Sequence, residues 1–89
     1  MPRMIYTDGF LDDAAGIWSD RVRNRLGRML AAIEVFPEIG STDVPLSIRA
    51  QYGSNIRKAI VDPFDLVYEF DPEADCVIVY GLIPFREAR

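Results

Sequence analysis

The chain reads as one α+β domain: an N-terminal strand, a helical hairpin, then a three-stranded antiparallel meander. Three observations predict that class. Residues 56–83 divide into three apolar segments joined by two Pro-containing turns, Asp62-Pro63 and Asp71-Pro72-Glu73-Ala74-Asp75. An amphipathic segment ending in Phe36-Pro37-Glu38-Ile39-Gly40 comes before them. A short alternating stretch, Arg3 to Thr7, stands near the N-terminus. Pro suits the two connections because it has no N–H to give to a ladder. Links this short join antiparallel neighbours.

From Arg3 to Thr7 the residues alternate, with Met4 and Tyr6 on one side and Ile5 on the other, which predicts a strand. Thr7 or Asp8 can cap the next element, because a short oxygen side chain accepts from free backbone N–H groups. Phe10, Ala14, Ile17 and Trp18 fall at helical spacing and give a short first helix. Asp8, Asp12 and Asp13 suit the positive end of its dipole. Ser19 and Asp20 offer a second cap. Val22, Leu26, Met29, Leu30 and Ile33 then recur at intervals of three and four, one apolar stripe on a helix of about four turns. Arg21, Arg25 and Arg28 form a second stripe at the same period, expected on a solvated face or against an acidic surface. Pro37 and Gly40 end the helix.

Residues 41–48 read as a loop, from Ser41, Asp43, Pro45 and Ser47, and residues 48–52 read as extended. Gly53-Ser54-Asn55 is a turn. Strands follow near 56–61, 65–70 and 76–83. In the middle one, Leu66, Tyr68 and Phe70 share a face opposite Val67 and Glu69. In the last, Cys76, Ile78, Tyr80 and Leu82 oppose Val77, Val79 and Ile83. That strand is apolar on both faces, so it is expected at the centre of the sheet. The two helices can cover one face. No further helix is read for the other, so a second polypeptide is expected there, with apolar Arg stems as the alternative cover.

The bulk properties agree with a small globular domain. The chain has 89 residues, enough for one domain and a modest core. An apolar content of 49% with 27% charged residues excludes a disordered composition. No run approaches the ~20 apolar residues of a membrane span. The N-terminal residues show no signal-peptide core, so the cytoplasm is the expected location. Cys76 is the only cysteine and reads as a buried thiol. The net charge of −4 argues against a surface built to attach to nucleic acid, and it predicts a partner rich in Arg and Lys.

The residue inventory excludes several chemistries. Histidine is absent, so the usual neutral-pH general base, Ser–His and Cys–His nucleophiles and a His-ligated zinc site are all ruled out. No Gly-rich phosphate loop occurs. Asp62, Asp65, Glu69, Asp71, Glu73 and Asp75 match no calcium loop and read as turn and edge residues. No cofactor and no metal are expected.

The element order resembles the RelE/ParE superfamily, the toxins of bacterial type II toxin–antitoxin modules, across nearly the whole chain. Phe10, Ala14 and Trp18 resemble the first helix of that family. Leu30 through Phe36-Pro37-Glu38-Ile39-Gly40 resembles the end of its second. Ile56-Arg57 and Phe64-Asp65-Leu66-Val67-Tyr68 resemble its Leu-Arg and Tyr-Arg-Ile-x-Tyr strands. Val77 to Leu82, followed by Arg86, resembles its last strand and terminal Arg. The chain departs from the family pattern at Asp65, where Arg is common, and at Pro84-Phe85, where His or Lys is common.

The resemblance is closer to the ParE-like branch. It implies a plasmid-stabilisation type toxin that binds DNA gyrase and is neutralised by a cognate antitoxin. It places target contacts at Arg49, Arg57, Arg86 and Arg89, and antitoxin contacts at Ile5, Val77, Val79 and Ile83. The alternative it implies is a RelE-like endoribonuclease acting on mRNA at the ribosome, with Arg57, Lys58, Arg86 and Tyr80, or Tyr52, as catalytic candidates. A toxin-like domain that only binds is the third implication.

Overall fold

The computed structural model describes residues 1–88, and side chains as far as Arg86. The elements are β1 (Arg3–Tyr6), α1 (Asp8–Ala15), α2 (Asp20–Val35), α3 (Leu46–Tyr52), β2 (Ile56–Val61), β3 (Phe64–Asp71), β4 (Cys76–Pro84) and α4 (Phe85–Ala88). The four strands make one sheet in the order β1-β4-β3-β2. β2, β3 and β4 form the antiparallel meander, and β1 lies parallel to β4 along its other edge. β4 is therefore internal, as its two apolar faces require.

Both helices of the hairpin begin at the caps read from the sequence. The Thr7 hydroxyl accepts from the Phe10 N–H at 3.2 Å and lies 3.0 Å from the Val79 carbonyl, so the cap also ties α1 to β4. The Ser19 hydroxyl accepts from the Val22 N–H at 3.3 Å. α1 covers β4 and α2 covers β2. Their apolar stripes enclose Phe10, Leu26 and Ile33 with Val61, Leu66, Tyr68, Val77 and Val79 in the main core. α1 stops at Ala15, earlier than the spacing predicts. Ile17 still reaches the core from the linker, but Trp18 is 94% exposed.

The opposite face departs from expectation. The segment read as loop and extended chain contains α3, seven residues long, whose Ile48 packs with Val44, Ile56 and Val67 in a second core. Pro45 stands at its N-cap, where a missing N–H costs nothing. Tyr52, Tyr80 and Ile83 pack against this cluster. The chain thus covers part of the face assigned to a partner. Ile5 and Ile78, paired across β1 and β4, stay half-buried beside it.

A bulge explains a second difference. Val67 pairs with Gly81 while Tyr68 pairs with Val79, so Tyr80 is an extra residue in β4. One inserted residue reverses the facing of everything after it. Leu82 joins Val77 and Val79 in the main core, and Ile83 joins Tyr80 under α3.

Candidate functional site

Two polar arrangements stand out, one at the end of α2 and one on the α3 side of the sheet. The first holds the segment that follows α2. The Tyr68 hydroxyl, wholly buried, accepts from the Gly40 N–H and donates to the Pro37 carbonyl, both at 2.8 Å. Gly40 is needed there, since a Cβ would stand 2.6 Å from the Tyr68 hydroxyl and 3.0 Å from the Lys58 carbonyl. The Arg57 guanidinium donates to the Glu38 and Gly40 carbonyls at 3.1 and 2.9 Å. It is also within 4.0 Å of the Glu38 carboxylate. Ser41 then pairs with Lys58 through both backbone bonds, at 2.8 and 2.9 Å, and closes part of the β2 edge. A cleft of about 560 Å³ beside this segment is lined by Arg57 with Glu38, Glu69 and Asp71.

The second arrangement is a phenol and carboxylate track. The Tyr80 hydroxyl donates to Glu69 Oε1 at 3.0 Å. The Tyr52 and Tyr80 rings lie 5.5 Å apart. Asp13 Oδ2 accepts from the Leu82 N–H at 3.0 Å, pinning α1 beside the bulge, and borders a cavity of about 340 Å³ with Tyr52. Burial raises the Tyr80 phenol above its ordinary range, and the bond to Glu69 adds to the rise. Burial also raises Tyr52, helped by the negative Asp13, and raises Tyr68. At neutral pH these phenols keep their protons, so none can serve as a base.

The nuclease candidates do not converge. Arg57 and Lys58 are successive residues of β2, so their side chains leave opposite faces of the sheet. Arg57 lies across from Tyr68, whereas Arg86 follows Pro84, which pairs with Phe64. Four residues at about 3.3 Å each put roughly 13 Å between them along the strands. Tyr80 faces Glu69, with no cation bonded to it among the described residues. The target-binding set is equally scattered. Arg49 donates to the Thr42 carbonyl from α3, Arg57 clamps the segment after α2, and Arg86 is exposed in α4. Arg89 lies outside the described residues.

The antitoxin set is divided by the sheet, and two of its members need correction. Val77 and Val79 are fully buried beneath α1 and α2 and present nothing to a second chain. Ile5 and Ile83 are half-buried on the other face. The sequence missed the structural duties of Tyr68, Gly40 and Asp13. A buried aromatic opposite an Arg in a strand pair was the one available signal. Among the described residues, no cluster of His, Cys, Asp or Glu is arranged to hold a metal ion, and no helix is long and apolar enough to cross a membrane.

No protein-family model, no curated protein and no solved structure matches this chain.

Proposed function

We propose that this chain is a toxin-type binding module. It is the ParE-like half of a toxin–antitoxin pair, neutralised by a cognate antitoxin and directed at DNA gyrase by contact, without phosphodiester cleavage. The separation of its cations carries the preference for contact over cleavage. Cleavage of RNA without histidine needs several cations and a proton carrier around one phosphate. Here Arg57 is spent on backbone carbonyls, Lys58 leaves the other face, and Arg86 is a strand length away. The toxin reading itself draws support from the order strand, hairpin, meander, with β1 alongside β4.

Asp65 favours a second reading, a toxin-like domain that binds without inhibiting growth. It is fully buried in β3, where the resembling family often carries Arg. Induced expression separates the two, with growth followed in the presence and absence of the neighbouring reading frame. Arrest relieved by the neighbour is the expected result. Unimpeded growth in both strains would leave only the binding domain.

A further inference from the structure

The strongest uncommitted surface lies along the edge of the sheet, between α2 and β2. Two adjoining hollows of about 330 and 250 Å³ share Met29 and Ile60 as lining. Their apolar wall continues to Ile39, which is 52% exposed, and Ile60 is 61% exposed. An isoleucine this open on an edge strand leaves apolar surface and strand backbone uncovered together.

The backbone at this edge is already partly used, and the pattern is informative. Antiparallel residues point their N–H and C=O groups alternately to the two sides of the strand. Lys58 points outward and bonds Ser41. The Asp62 carbonyl points outward and accepts from Arg25 at 3.3 Å. Ile60 stands between them, so its backbone groups face the groove.

The rim carries the charge. Arg25 and Arg28 border the first hollow from α2, against the single carboxylate of Asp62. Among the described residues, neither Arg25 nor Arg28 is ion-paired with a carboxylate. The groove's cations are therefore open to carboxylates from elsewhere. This reverses the partner chemistry expected from a net charge of −4.

We infer that this groove takes an extended, acidic segment of a partner protein, an inference that rests on the contact reading above. One residue of the segment exchanges backbone bonds with Ile60. Its apolar side chains fill the hollows beside Met29, and its carboxylates meet Arg25 and Arg28. A second copy of this chain fits poorly, because an isologous contact brings the same cations face to face. A nucleic acid fits poorly too, because the hollows offer no aromatic ring on which a base could stack.

The test is an amide-shift titration of the ¹⁵N-labelled full chain. The probe is a synthetic peptide of about ten residues alternating Ile or Val with Asp or Glu. Its counterpart carries Lys at every acidic position. The acidic peptide is expected to shift the amides of Met29, Ser41, Ala59 and Ile60. Its affinity should fall at least about ten-fold in R28E and in I60D, since both side chains are exposed and the changes leave the core untouched. Equal binding of the Lys peptide overturns the inference. So do shifts centred elsewhere, absence of shifts up to about 1 mM peptide, tighter occupation by a single-stranded oligonucleotide, or self-association through the groove. The growth assay is scored separately. Arrest by a chain that takes neither peptide refutes the groove alone. A harmless chain that takes the acidic peptide refutes the toxin reading alone.

Discussion

Replacing Tyr68 by Phe isolates the bonds that hold the segment after α2. The ring stays, so no cavity forms and the main core keeps its packing. The hydroxyl is lost, and with it the bonds to the Gly40 N–H and the Pro37 carbonyl at 2.8 Å. The Gly40 N–H is buried and is left without that partner, at a cost of about 1–3 kcal/mol. The Pro37 carbonyl is only partly buried and can turn to water, so its loss adds about 0.5–1 kcal/mol. The sum is about 1.5–4 kcal/mol. In a domain of this size that lowers Tm by about 6–30 °C. With m near 1–1.5 kcal/mol/M, the urea midpoint falls by about 1–4 M. Tyr80→Phe is the matched control, since its hydroxyl bonds a half-buried Glu69 and its loss should cost under about 1 kcal/mol. Equilibrium urea unfolding of the three proteins supplies the comparison. A loss below about 1 kcal/mol in Tyr68→Phe, or one no larger than in Tyr80→Phe, refutes the reasoning.

Further expectations follow from the same packing. Gly40→Ala should cost about 1–3 kcal/mol by urea midpoint, because the added methyl meets the Tyr68 ring and the Lys58 carbonyl; a neutral result would mean the segment moves freely. Ile33→Ala, fully buried, should cost about 2–5 kcal/mol, while Trp18→Ala should change stability by less than about 0.5 kcal/mol; similar losses from both would contradict the placement of the α1–α2 linker. Asp13→Ala removes the acceptor of the Leu82 N–H and should cost about 1–2 kcal/mol, read by thermal melting, with no loss as the contrary outcome. Tyr52, Tyr68 and Tyr80 hold their protons more tightly in the folded chain because burial disfavours the phenolate. That contribution is complete below the unfolded value of about 10 and is lost as pH climbs through the raised folded values. The urea midpoint should therefore fall from about pH 10 upward, and less steeply in Tyr68→Phe; a midpoint flat to about pH 12 would contradict the burial of these phenols.

Much of the scaffold was readable because its signals are local. Thr7 and Ser19 cap the helices they precede, and the stripe from Val22 to Ile33 faces the sheet. The two Pro-containing turns mark the meander, and the apolar run at Cys76–Pro84 marks an internal strand. What escaped was set by contacts between distant residues. α3 is short, and its signals Val44 and Ile48 lie among Ser, Asp and Pro, so a turn reading competes well. Its stability comes from Val67 and Ile56, far along the chain. The bulge at Tyr80 has no local mark except Gly81, where a Cβ would approach Asp13 Oδ2 to 3.0 Å. The separation of Arg57 from Lys58 was available in advance, because adjacent strand residues face opposite ways. The local sign of charge around Ile60 was not, since only the fold brings α2 against β2.

The claim that this chain acts by contact is tested most directly by mapping a reporter mRNA with primer extension in a translating extract that contains the purified chain. The message is expected to stay intact at every codon. New 5′ ends that appear with the wild-type chain and vanish with R57A/K58A/R86A would show a working nuclease and contradict the account.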